Sequence, residues 1–122
     1  MNQKESATQF LERVAAGQVS EAYERFISPD FIHHNPYFKG DRESLMLAMQ
    51  TAHRMNPQKQ IQIKHVYEDG NTVITHSHVR QRPEDPGAAV VHVFKFRDAK
   101  IAELWDVGQP LAVDSPNANG PF

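Results

Sequence analysis

Ala88 to Leu111 reads AAVVHVFKFRDAKIAELWDVGQPL. Val90, His92, Phe94 and Phe96 alternate with Val91, Val93, Lys95 and Arg97, the period of two that makes a strand with one apolar face. Arg97-Asp98-Ala99-Lys100 is a polar turn. The return strand divides into Ala102, Leu104, Asp106 and Gly108 on one face and Ile101, Glu103, Trp105 and Val107 on the other. Each strand therefore sets one ionisable side chain, His92 or Asp106, in line with apolar neighbours. A histidine and a carboxylate facing one apolar cavity can exchange protons with a ligand. The competing reading makes His92 a satisfied core histidine and Asp106 a strand-end carboxylate capping a loop.

The period of two extends upstream of this hairpin. Ile61, Ile63, His65 and Tyr67 alternate with Gln62, Lys64 and Val66, and Glu68-Asp69-Gly70-Asn71 is a hairpin turn. Thr72 to Arg80 follows as a strand with faces Thr72, Ile74, His76, His78 and Arg80 against Val73, Thr75, Ser77 and Val79. Gln81 to Gly87, with Pro83 and Pro86, is a loop. The expected sheet is a four-strand antiparallel meander.

Before residue 60 the period is helical. Phe10, Leu11, Val14 and Ala15 form one stripe, and Ala22, Phe26 and Ile27 another, with Gly17 as the break and Ser20 as a possible N-cap. Tyr23 can project a hydroxyl into a pocket or simply pack. Asp41 caps a third helix running to about Met55, with Leu45, Ala48, Met49 and Ala52 as its stripe and Asn56-Pro57 as its stop. Between these helices Phe31-Ile32-His33-His34-Asn35-Pro36-Tyr37-Phe38-Lys39-Gly40 reads as a structured loop or very short strand, unusually aromatic. Such a segment plugs one end of a core or walls a pocket. His34 and Asn35 are placed toward that pocket and His33 outward; otherwise Asn35 caps a turn before Pro36. Residues 110–122 form an irregular tail, either frayed or folded back as a lid with Phe122 as an anchor.

Helices first and strands after predict one α+β domain over residues 1–122, its helices covering one face of a curved sheet and leaving a small-molecule pocket at one end. At this length roughly two-thirds of the unfolded surface is buried, enough for one core. The formal net charge of -2, with no basic block, argues against nucleic acid. The absence of cysteine removes disulfides and thiolate chemistry, and fits a reducing compartment. The start lacks a signal-peptide pattern and no run reaches membrane-spanning length, so the expected location is the cytoplasm.

His76-Ser77-His78 is the sharpest local motif. Residues two apart on a strand share a face at roughly 7 Å, so two imidazoles can hold one metal. Zinc or iron would need a third ligand, for which His34, His92 and Asp106 are candidates. Otherwise these histidines line the pocket or stand in solvent. Nucleophilic serine, flavin, nicotinamide and nucleotide motifs are missing. What remains is cofactor-free acid/base chemistry, with Asp106 exchanging a proton and His92 sharing it or polarising a carbonyl.

The order of helices and meander, the segment FIHHNPYFKG at 31–40, the HSH strand and ELWDVGQP at 103–110 together resemble SnoaL-like proteins. These belong to the superfamily named after nuclear transport factor 2. The chain is similar in particular to the group described as predicted SnoaL-like aldol-condensation-catalysing enzymes. The resemblance implies an α+β cone and a polyketide cyclase-like enzyme acting without metal or cofactor. It further implies Asp106 and His92 as its catalytic pair and a homodimer joined through the outer sheet face, where Val91, Val93 and Trp105 lie. His34, Asn35, His76, His78, Trp105 and Tyr23 are the further ligand-site candidates, Trp105 alternatively facing the dimer partner. A non-catalytic small-ligand binding protein and a histidine-rich metal-binding variant with His76, His78 and His34 as ligands are the alternatives.

Overall fold

A computed structural model describes residues 1–122. Its elements are α1 (Gln3–Ala15), α2 (Val19–Phe26), β1 (Ile27–His33), α3 (Arg42–Met55), β2 (Gln60–Asp69), β3 (Thr72–Arg80), β4 (Ala88–Arg97) and β5 (Lys100–Pro110). The five strands form one sheet in the order β1-β5-β4-β3-β2, antiparallel except for the parallel pair β1–β5. The helices lie over one face of it, which makes the fold α+β.

Local chemistry accounts for the helix ends. Asn2 and Glu5 form a reciprocal capping box on α1, each side chain bonding the other's backbone N–H. The Asp41 carboxylate accepts the Ser44 N–H at 3.0 Å and starts α3 as expected, a cap worth about 1 kcal/mol. Ser20 is not a cap. Helix α2 begins at Val19 behind Gln18, and the Ser20 hydroxyl instead accepts from Gln50 Nε2 at 2.8 Å. Gly17 turns the chain between α1 and α2 at φ +89°, and the His53 ring packs where a Cβ would stand.

Two expectations about strands change. Ile27, read as the end of a helical stripe, opens β1, and the segment read as a structured loop or very short strand supplies the last residues of this fifth strand, Phe31 to His33. β1 is an edge strand, so Pro29 costs it no ladder hydrogen bond, and its pairing with β5 shifts register between Ile27 and Ile32. Ile101 belongs to the core, not to the outer face. A bulge opposes Lys95 and Phe96 to Glu103 and Ile101, which leaves Ala102 as the extra residue and turns both Ile101 and Leu104 inward. A second bulge, between Ile63 and His65, likewise rephases β2. Ile61, Ile63 and Val66 then pack on the core, and His65 and Tyr67 are left exposed.

The core is aromatic. Phe94, fully buried on β4, meets Phe10 of α1 edge to face at 6.3 Å, and Phe10 meets Tyr23 of α2 at 5.4 Å. Val73, Ile101, Leu104 and Leu45 fill in around them. The β4–β5 turn holds Asp98 and Ala99 at φ 53° and 66°, the geometry of a two-residue hairpin loop matched to strand twist.

Candidate functional site

Above this core, where helices and sheet diverge, lies a cavity of about 220 Å³. Eleven of its 15 lining residues are hydrophobic, among them Phe10, Leu11, Met49 and Val90. Its polar residues besides Tyr23 are Lys59, Gln81, His92 and Asp106.

His92 and Asp106 are register partners across β4 and β5, and both line the cavity. Directly opposed residues place their Cβ atoms roughly 5 Å apart. No hydrogen bond joins the two side chains directly; a group between them would touch both. His92 Nδ1 is sealed from solvent and has no hydrogen-bond partner. Burial pulls the His92 pKa down to about 4; Asp106 opposes the shift and the Lys59 charge adds to it. At neutral pH the imidazole is therefore uncharged, with one ring nitrogen donating and the other accepting.

Asp106 is oriented from β1 and the segment after it. Asn35 Nδ2 donates to Asp106 Oδ2 at 3.0 Å. Asn35 is itself fixed at two points. Its Oδ1 accepts the Tyr37 N–H at 3.0 Å, and its backbone N–H donates to His33 Nδ1 at 3.1 Å. His33 Nε2 then donates to the Lys39 carbonyl at 2.7 Å. Both nitrogens of the buried His33 are thus committed, which fixes its tautomer. The order expected for the two adjacent histidines is reversed. His33 turns inward and holds the loop, while His34 lies outside, stacked on Trp105 at 4.6 Å and paired with Glu103 at 2.6 Å. Strand alternation is the reason: His33 continues the buried positions Ile27 and Phe31 of β1.

Tyr23 lines the cavity from α2, 1 % exposed. Burial pushes its pKa well above the ordinary phenol value; Arg42 works against this and Asp106 reinforces it, so the hydroxyl stays protonated.

Of the further ligand-site candidates only Tyr23 lines this cavity; His34, Asn35, His76, His78 and Trp105 do not, and Asn35 is tied to it only through Asp106. On β3 the inward positions are Val73, Thr75 and Ser77, all fully buried, so His76 and His78 project from the opposite face. There the tail folds back and Phe122 packs on both, with ring centroids 5.1 Å and 5.3 Å away. His78 Nε2 also bonds the Pro86 carbonyl at 2.7 Å. His34 lies over β5, two strands removed from β3, so the metal set His76, His78 and His34 is not assembled. No group of three histidine, aspartate or glutamate side chains is gathered as a metal site. The tail contributes nothing to the cavity wall and is no lid over it.

The residue that sequence reading missed is Lys59. It precedes β2 in a turn closed by its N–H to the Asn56 carbonyl at 3.1 Å, and it reaches the cavity beside Ile61. A single lysine in a polar turn carries no periodic signal; only its position at the first residue before an inward-facing strand hints at it.

A family profile described as SnoaL-like domain matches residues 7–104. No curated protein matches the sequence. Among solved structures, a nuclear transport factor 2-like protein of unknown function from Cytophaga hutchinsonii superposes with a TM-score of 0.74 at 14% identity, over 90% of this chain and 92% of its own. A SnoaL-like protein of unknown function from Burkholderia thailandensis gives 0.70 at 14% identity, over 88% and 97%. A predicted polyketide cyclase from Acidithiobacillus ferrooxidans gives 0.68 at 20% identity, over 85% of each. At these identities the superpositions establish the fold alone. No helix is long and apolar enough to cross a membrane. With the profile spanning most of its length and its helices laid over the five-stranded sheet in this way, the chain belongs to the SnoaL-like domain family and has the nuclear transport factor 2-like fold.

Proposed function

We propose that this protein is a small acid/base enzyme that acts, without a cofactor, on a small carbonyl compound, in the manner of an aldol cyclase, isomerase or dehydratase. One observation carries the reading: His92 and Asp106 oppose each other in the wall of a mainly apolar cavity, with Asn35 orienting the carboxylate. Asp106 takes a proton from the carbon next to the substrate carbonyl. Neutral His92 donates a hydrogen bond to the oxygen on which the enolate charge develops, and a donor already in place costs no reorganisation as the charge forms. The enolate then takes the proton back at another atom, which isomerises the substrate, or attacks a second carbonyl to form a carbon–carbon bond. The protonated Asp106 returns its proton in either case. Tyr23 supplies a second protonated donor in the wall. The predicted polyketide cyclase among the structural neighbours, that of Acidithiobacillus ferrooxidans, is in keeping with this chemistry.

The test is deuterium exchange next to the carbonyl of small ketones and β-diketones, followed by proton NMR in D₂O. Wild-type protein is expected to accelerate exchange, and Asp106→Asn to lower the rate by about 10²–10⁴-fold while ligand binding is largely kept. Equal loss of binding and exchange removes the acid/base assignment. Binding without exchange in the wild type leaves the second reading, a non-catalytic small-ligand binding protein, which the His92 Nδ1 atom, buried without a partner, also supports. A homodimer through the outer sheet face belongs to the same proposal, supported by exposed Ile74 and Val107 on that side. A monomeric mass in sedimentation equilibrium would remove it.

A further inference from the structure

Lys59 is the only lysine or arginine in the cavity wall, and no side chain or carbonyl in the molecule pairs with it. The carboxylate of the same wall, Asp106, already accepts from Asn35. Burial lowers the lysine's pKa, as expected for a charge that has lost part of its water without gaining a counter-ion. An arriving anion would restore what the ammonium lacks. The other polar groups of the wall, Gln81 and neutral His92, can donate hydrogen bonds but carry no charge, and eleven apolar residues form the rest. A volume of about 220 Å³ is below the roughly 300–1,000 Å³ usual for drug-sized ligands, and fits one ring or a short branched chain.

We propose that Lys59 anchors an anionic substrate: the cavity takes a small, mainly apolar carboxylate whose oxygens pair with the Lys59 ammonium. Resting on the acid/base reading above, the anchored carboxylate directs the molecule's reacting carbon toward His92 and Asp106. The arrangement divides the work between two parts of the cavity wall. Lys59, ahead of β2, selects charge, and the β4–β5 pair performs proton transfer.

The test compares benzoate with benzamide, nearly equal in shape and different in charge, by calorimetry or ligand-observed NMR. Wild-type protein is expected to prefer benzoate by roughly tenfold or more, the worth of a charge-assisted hydrogen bond. Lys59→Met keeps the apolar stem and is expected to erase the preference while benzamide binding stays within a few fold. Lys59→Arg is expected to retain much of it. Equal binding of the two probes by the wild type, no benzoate binding at millimolar concentration, or a preference that survives Lys59→Met each overturns the proposal. Asp106→Asn separates the two readings. Benzoate preference is expected to persist in this variant, because the anchor does not use the carboxylate. A preference without exchange leaves the anchor standing and the acid/base reading refuted, and exchange without preference does the reverse.

Discussion

The two faces of the sheet carry the same residue type under opposite conditions. On the outer face His76 and His78 lie beneath Phe122, His78 bonds the Pro86 carbonyl, and His34 is stacked on Trp105 and paired with Glu103. On the inner face His92 has an Nδ1 without a partner. Its register neighbour Thr75 and the next inward residue, Ser77, also hold buried hydroxyls without partners. Each buried polar group left unpaired costs about 1–3 kcal/mol, so the inner face is the less satisfied of the two. A histidine engaged by aromatic rings and carbonyls has spent its bonding capacity on structure. A histidine left unengaged in a cavity wall keeps that capacity for a ligand.

The comparison can be tested from several sides. Phe94 underlies the inner face, and Phe94→Ala is expected to cost about 3–5 kcal/mol in urea unfolding. A loss below about 1 kcal/mol would mean that Phe94 is not packed in a core beneath the inner face. The next largest effect concerns pH. The folded-state pKa of His92 lies near 4, below its unfolded value of about 6.5, so the unfolded chain binds the proton first as pH falls. The contribution of His92 to stability is therefore intact above pH 6.5 and declines from there toward pH 4. Thermal melts of His92→Gln should decline less over that window than the wild type, and parallel curves would show that His92 is not buried as a neutral ring. Asn35→Ala removes one hydrogen bond to a charged group and is expected to slow deuterium exchange by about tenfold, with a smaller change in stability. A loss as large as that of Asp106→Asn would show that Asn35 does more than position the carboxylate. Smallest of all, His34→Ala on the outer face is expected to change stability by no more than about 1 kcal/mol, because its hydrogen bond to Glu103 is partly exposed. A larger loss would erase the distinction between the faces.

Particular residues explain what was legible in advance. The inward phase of β4 and β5 at His92, Phe94, Leu104 and Asp106 was readable because apolar side chains dominate one face at those positions. On β3 both faces carry a branched apolar residue, Val73 and Ile74, and the inward face is continued by Thr75 and Ser77, so polarity misreports burial. The pocket reading of His76 and His78 fails for this reason, and both stand on the outer face. β1 was hidden because Pro29 and Asp30 interrupt its pattern. A parallel edge strand needs only partial pairing, and its partner β5 lies at the far end of the sequence. The two bulges escaped for a related reason: one inserted residue reverses the inward phase, and no local preference marks where. Asn35 reads as a pocket residue in the sequence, but it does not line the cavity and acts only through Asp106, a partnership hidden by the 71 positions between them.

That separation also bears on the order in which the molecule assembles. Strands β2 to β5 are joined in succession, and the β2–β3 and β4–β5 turns are short. β1 reaches β5 only by closing a loop of roughly 70 residues, against a few in a hairpin, an entropic difference of about 3 kcal/mol. The meander is then expected to form in the folding transition state, with φ-values near zero at Phe31 and Ile32 and higher values at Val73 and Phe94. Because Asn35 arrives with β1, Asp106 meets its orienting partner only when the last strand docks. A partly folded chain would hold the carboxylate without its alignment, so competence for chemistry would report completion of the fold.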